Sequence, residues 1–197
     1  MATEAEKLDK GAYFGIWGQI YISKFEKTGA KNDLETALDY YKQWIKSAPD
    51  SYNARFGAGF TLLLQKRYDE AVDQYEKGLS INRTPESQNF VFLGIACARP
   101  SAKEFSNLNK AKRYLEMALR PNQDNFLAYL YLTLIYSYEN QMEKARSYAK
   151  EILRTSPSFS LQRFRAMHRT DEPESEEISR FHEELLKKAG ITEERRT

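Results

Sequence analysis

The sequence predicts an all-α fold, a solenoid of about four antiparallel helix hairpins closed by a C-terminal helix. Three observations carry this. A small residue followed by bulky ones at helical spacing occurs four times, as Ala37-Leu38-x2-Tyr41, Ala71-Val72-x2-Tyr75, Ala111-x3-Leu115 and Ala145-x3-Ala149, and the leading alanines stand 34, 40 and 34 residues apart. Between these copies runs a second pattern of large apolar residues around a small one: Phe14-x2-Trp17-Gly18-x2-Tyr21, Ala58-Gly59-x2-Leu62, Phe90-x2-Leu93-Gly94-x2-Cys97 and Tyr129-x2-Leu132-Thr133-x2-Tyr136. Proline-bearing turns punctuate the units at Ser47-Ala48-Pro49-Asp50, Arg83-Thr84-Pro85, Arg120-Pro121-Asn122 and Thr155-Ser156-Pro157.

Taken in order, these signals place helices near 10–27 and 33–47, 52–65 and 68–81, 86–98 and 108–119, and 125–139 and 142–155. Asn32 or Asp33 is a candidate cap for the second helix. The 40-residue interval needs a longer loop in the third unit, and Arg99 to Asn107, with Pro100, supplies it. The small residues of the first helices allow two antiparallel helices to approach closely, where a large side chain would hold the backbones apart. The stretch after Pro157 lacks the repeat. A helix over 174–189, apolar through Ile178, Phe181, Leu185 and Leu186, would cover the face that the last hairpin leaves open. The expected organisation is a tail over 1–9, four units over 10–157, a linker and capping helix over 158–190, and a tail over 191–197.

Residues 10–157 resemble tetratricopeptide repeats, whose period is 34 residues. The resemblance implies a right-handed α-solenoid whose concave surface is lined by the first helix of each hairpin, and a function in holding other proteins. The segment Phe159-Ser160-Leu161-x2-Phe164-Arg165, followed by Asp171-Glu172-Pro173 and Leu185-x2-Lys188-Ala189-Gly190, resembles the tail that closes tetratricopeptide regions of bacterial class III adenylate cyclases. Glu172 interrupts the Asp-Pro pair of that pattern. With no cyclase domain in the sequence, the resemblance implies relatedness and not cyclase activity.

Superposing the units predicts the groove residues: Asn53, Phe56, Phe60, Leu63 and Leu64 in the second unit, Gln88, Val91 and Ile95 in the third, and Leu127, Leu130, Tyr131, Leu134 and Tyr138 in the fourth. This set is mostly apolar. It suits an apolar peptide or helix of a protein partner, with pairing to a second copy as the alternative. Large apolar residues on helices also build cores, so part of the set is expected to pack between helices. Tetratricopeptide proteins that take chaperone C-terminal tails clamp the carboxylate with lysine, arginine and asparagine. The corresponding positions here hold Gly15, Gln19, Phe56, Phe60, Leu127 and Tyr131, so an acidic tail is not the expected occupant.

Composition narrows the remaining functions. The chain has 197 residues, 41% hydrophobic and 13% aromatic, with 30 basic and 28 acidic residues. No basic stripe stands out, which argues against nucleic acid. The first ten residues lack the apolar core of a signal peptide, and no stretch approaches the roughly 18 apolar residues of a membrane span, so a cytoplasmic location is expected. Cys97, the single cysteine, is expected to be a buried, inert thiol. His168 and His182 have no neighbouring ligands at metal-binding spacing and are expected to be solvated. Gly11, Gly15 and Gly18 lack the Gly-Lys-Ser/Thr of a phosphate loop and read as packing glycines. The pairs Asp69-Glu70 and Glu176-Glu177 sit at helix starts, where the macrodipole favours negative charge. No catalytic set, metal or cofactor is expected.

Overall fold

The computed structural model describes residues 4–99, 105–119, 124–167 and 173–194, with side chains over 11–99, 105–119, 124–166 and 176–194. Every regular element among them is helical: α1 (Glu4–Thr28), α2 (Lys31–Ser47), α3 (Tyr52–Leu64), α4 (Tyr68–Ile81), α5 (Ser87–Ala98), α6 (Leu108–Ala118), α7 (Phe126–Tyr138), α8 (Met142–Thr155), α9 (Leu161–Met167) and α10 (Pro173–Lys188). The expected turn at Arg120-Pro121-Asn122, most of the long loop after Arg99, His168 and the Asp171-Glu172 pair lie outside the described residues. The chain divides into two compact units within α5, the first running to Ala96 and the second from Cys97.

In the first unit α1 pairs with α2 and α3 with α4, and α3 also packs on α1 and α2. Aromatic rings lying on glycine backbone set these distances. Tyr41 of α2, 2% exposed, lies on Gly18 of α1 and on Gly57 of the next hairpin. A Cβ at Gly18 would come within 2.6 Å of the Tyr41 ring, and one at Gly57 would penetrate it. Trp44 covers Gly11 and Gly15 in the same way. One ring therefore joins three helices across a hairpin boundary.

Local signals fix the ends. Ser51 Oγ accepts from Ala54 N–H at 3.2 Å, and Asn125 Oδ1 accepts from Ala128 N–H at 3.1 Å, each an N-cap of about 1 kcal/mol. α3 and α7 end alike: Lys66 and Asn140 take left-handed backbone, at φ 61° and 59°. Their turns are closed by Arg67 N–H to the Leu62 carbonyl at 2.9 Å and Gln141 N–H to the Tyr136 carbonyl at 2.8 Å.

Three expectations change here. α1 begins at Glu4, inside the expected tail, because Glu4-Ala5-Glu6-Lys7-Leu8 are strong helix formers. α2 begins at Lys31 after Ala30, so neither Asn32 nor Asp33 caps it. Buried Asp33 instead receives Lys24 Nζ at 2.9 Å, tying α2 back to α1. His182 is 5% exposed and stacked on Phe105 at 5.5 Å, so it is a core residue rather than a solvated one.

In the second unit α7 is apolar all round and packs against α6, α8 and α10. Thr133, in the small-residue position, is fully buried, and its hydroxyl donates to the Tyr129 carbonyl at 2.8 Å, which satisfies it within the helix. Phe159, Leu161 and Phe164 are buried. α9 is held to the segment after α10 by Leu161 N–H to the Thr192 carbonyl at 2.9 Å, and Arg165 pairs with Glu183 at 2.7 Å and with Glu193. The hydrogen bond from Arg165 holds the Glu183 carboxyl below the usual carboxylate range.

Two outcomes are expected. Gly57→Ala gains about 1 kcal/mol of helix propensity but drives a methyl into a buried ring, an overpacking cost of about 1–3 kcal/mol. Urea denaturation should therefore show a variant no more stable than the parent and up to about 2 kcal/mol less so; clear stabilisation would mean the Tyr41 ring moves freely. Because Glu183 has a lowered pKa in the folded chain, its stabilisation is present above the ordinary glutamate range near about 4.3 and is lost as pH falls through the lowered value. Arg165→Ala should lower Tm at neutral pH, and the difference from the parent should shrink toward pH ~3.

Candidate protein-interaction groove

The first unit carries a concavity of about 980 Å³ walled by α1, α3, the start of α5 and the turn before it. α1 contributes Ala12, Gly15, Ile16, Gln19 and Ile20; α3 contributes Tyr52, Asn53, Phe56, Gly57 and Phe60. Tyr41 and Trp44 of α2 reach it from behind, and Asn82, Thr84, Glu86, Gln88, Asn89 and Phe92 complete the far wall. The amphipathic spacing of α1 puts Ile16 and Ile20 one turn apart on this wall, 59% and 45% exposed. Opposite them, Phe60 and Phe92 pack with centroids 4.5 Å apart. Burial raises the pKa of the Tyr41 hydroxyl, with a smaller opposing effect from its hydrogen bond with Gln19, so the ring is neutral at physiological pH. Among the lining residues none is lysine or arginine, and Glu86 is the single carboxylate.

The predicted groove residues divide between this wall and the core. Asn53 is exposed at the mouth, Phe60 and Gln88 are half-buried in the lining, and Phe56 is buried at its base, with its ring 5.9 Å from Tyr75. Leu63 and Leu64 are half-buried outside the lining. Val91 and Ile95 are core residues, 0% and 7% exposed. α5 is apolar on nearly every face, so the sequence did not say which face turned inward; Phe92 is the residue that reaches the groove.

In the fourth hairpin part of the expected open surface is occupied by the chain itself. α10 packs on α7, and Leu130 and Leu134 are each 1% exposed. Tyr138 meets Phe181 of α10 edge-on at 6.1 Å and Phe105 at 5.2 Å but stays 37% exposed, while Leu127 and Tyr131 are half-buried. Sequence reading missed Ile16, Ile20, Tyr52, Trp44 and Phe92. The signal for the first two was present as an Ile-x3-Ile pair, but transferring positions from the second unit named Gly15 and Gln19, which also line the groove, and passed over the isoleucine that follows each.

The remaining candidates are structural. Cys97 is buried. Asp69 and Glu70 lie in the first turn of α4, where Glu70 pairs with Arg67 at 2.6 Å, and Glu176 pairs with Arg180 at 2.6 Å. Among the described residues, no three His, Cys, Asp or Glu are grouped to hold a metal, and no helix is long and apolar enough to cross a membrane.

The sequence profile of the tetratricopeptide repeat matches residues 29–84. An uncharacterized protein of Methanocaldococcus jannaschii is 31% identical over 65 residues, 33% of this chain and 76% of that one. This chain belongs to the tetratricopeptide repeat family. Solved structures extend the fold beyond the matched repeats. YrrB, described as a tetratricopeptide protein with an unusual peptide-binding site, is 20% identical with a TM-score of 0.56, covering 84% of each chain. MamA of Desulfovibrio magneticus RS-1 is 16% identical at TM-score 0.58, covering 86% of this chain and 93% of that one. PilW, a type IV pilus biogenesis factor, is 18% identical at TM-score 0.61, covering 89% and 78%. The tetratricopeptide solenoid is a protein-interaction scaffold.

Burial now separates two substitutions that the sequence treats alike. Leu134→Glu places a charge in a fully packed site and should destabilise the chain by several kcal/mol, on the order of 3–5, in denaturant melts. Phe60→Glu, on an open wall, should keep parental helicity by circular dichroism and lose much less.

Proposed function

We propose that the chain is a non-catalytic scaffold or adaptor, with repeat units over 10–157 and a closing segment over 158–190, whose first-unit groove holds an apolar peptide or helix of another protein. The observation that carries this reading is the pair Ile16 and Ile20, about half exposed across a concavity from Phe60 and Phe92. Large apolar side chains kept in water on a concave wall gain free energy when a partner covers them, about 25 cal/mol for each Å² removed. The lining holds no lysine or arginine to pair with a carboxylate, which favours apolar recognition over an acidic tail. The peptide-binding description of YrrB, on the same fold, fits this use. On this reading the likeness of the tail to segments of signalling cyclases reflects a shared way of closing an array, since Phe159, Leu161 and Phe164 serve packing.

A second reading, self-association, rests on Tyr13 and Trp17, 52% and 36% exposed beside Tyr40, with the Trp17 and Tyr40 rings stacked at 6.1 Å. Affinity capture with the parent, Ile16→Glu and Phe60→Glu, run beside light scattering, separates the two. A stoichiometric partner retained by a monomeric parent and lost by at least tenfold in both variants, with helicity intact, is the expected result. Equal capture by all three contradicts the groove reading, and a dimer dissolved by Trp17→Glu, with nothing captured, establishes self-association in its place.

A further inference from the structure

We infer that the occupant of the first-unit groove is an amphipathic α-helix with a neutral or basic polar face, an inference that rests on the groove being a partner site. The chain contains its own precedent. α3 and α7 are equivalent helices: their caps, Ser51 and Asn125, and their left-handed closing residues, Lys66 and Asn140, are separated by the same interval. Phe56, Phe60 and Leu64 of α3 therefore correspond to Leu130, Leu134 and Tyr138 of α7.

On α7 a helix meets that row at Tyr138, which stays 37% exposed, while Leu130 and Leu134 are each 1% exposed. α10 presents Ile178, Phe181, His182, Leu185 and Leu186 at the i, i+3, i+4, i+7, i+8 spacing of one helical face. Its Phe181 meets Tyr138, and Leu185 and Leu186 are 3% and 0% exposed. On α3 no described helix takes the place of α10: Phe56 is buried against Tyr75, but Phe60 and Leu64 are half-buried and Asn53 is exposed.

Backbone chemistry points the same way. The walls are helices, which offer no sheet edge, and Ile16, Ile20, Phe60 and Phe92 are apolar side chains with no hydrogen-bonding atoms. An extended segment laid on them would depend on the rim side chains Gln19, Asn53, Asn82, Thr84, Gln88 and Asn89 to receive its N–H and C=O groups, at a cost of about 1–3 kcal/mol for each group left unsatisfied. A helix arrives with its backbone bonds already made and needs only apolar contact. Glu86 is the one charged residue in the lining, so a glutamate-rich polar face like that of α10 is disfavoured and a neutral or basic one is accommodated.

The probe is a fluorescein-labelled synthetic peptide with the α10 sequence Pro173–Lys188 in which every glutamate is replaced by glutamine. A second peptide adds proline at the Glu183 position, which keeps all the apolar residues but breaks the helix. Both are titrated by fluorescence anisotropy against the full chain, its Phe60→Glu variant and its Ile16→Glu variant. Ile16 is 59% exposed, so that variant folds even where Phe60→Glu does not. The expected result is saturable binding of the first peptide, weakened at least tenfold by the proline, by either protein variant, and by restoring the glutamates. Equal binding of the two peptides establishes an extended occupant and overturns the inference, as does binding that neither variant weakens, which places the peptide elsewhere. If the peptides fail to bind while partner capture is still lost in Ile16→Glu, the helix inference alone is wrong; if both variants capture the partner normally, the groove reading beneath it fails.

Discussion

The contact on which the first unit depends is the flat seating of Tyr41 between Gly18 and Gly57. A phenol ring that is 2% exposed fixes how closely α2 approaches both its own hairpin partner and the first helix of the next hairpin. Its pKa is raised by burial, and a side chain at Gly57 would compete with the ring for the same volume. The spacing of α1 and α3 follows, and that spacing is the width of the groove. Ile16 and Ile20 on one wall and Phe60 on the other face a common concavity because a ring, and not a pair of branched side chains, holds the hairpins together.

The second unit solves the same packing problem differently. Thr133 stands where α3 has Gly59, and its hydroxyl is satisfied inside α7, so a buried polar group is carried there without a partner from another helix. α7 is instead so apolar that three helices are needed to cover it, and α10 supplies the third. Arg165, reaching Glu183 and Glu193, fastens α9 to α10 and to the segment after it. A tail that reads in sequence as an end cap thereby also occupies the face on which a partner was expected.

The period and the hairpins were legible because each is local: alanine spacing, small residues in the first helices, and proline turns; the caps were not, since Asn32 and Asp33 were expected and Ser51 and Asn125 were found. Much of the groove was not. Helical periodicity names faces, but in α5 and α7 nearly every position is apolar, so Val91, Leu130 and Leu134 could not be told from surface residues without knowing what packs on them. His182 looked solvated for the converse reason, since nothing in its neighbourhood in sequence announces Phe105. Ile16 and Ile20 were within reach of sequence reading. The superposed positions, Gly15 and Gln19, do line the groove, but on α1 the large apolar side chains sit one residue further on, and a helical wall changes chemistry with each residue of offset.

The central claim is that the first unit leaves Ile16 and Ile20 open on a concave wall while Leu130 and Leu134 of α7, the helix on which α10 packs, are closed off. Carbene footprinting of the free protein, read residue by residue by mass spectrometry, tests it most directly. The structure predicts strong labelling of Ile16 and Ile20, intermediate labelling of Phe60, and little at Leu130, Leu134 or Leu186. Comparable labelling of Leu134 and Ile16 would contradict it, because the two walls would then be equally open and α10 would not be seated on α7.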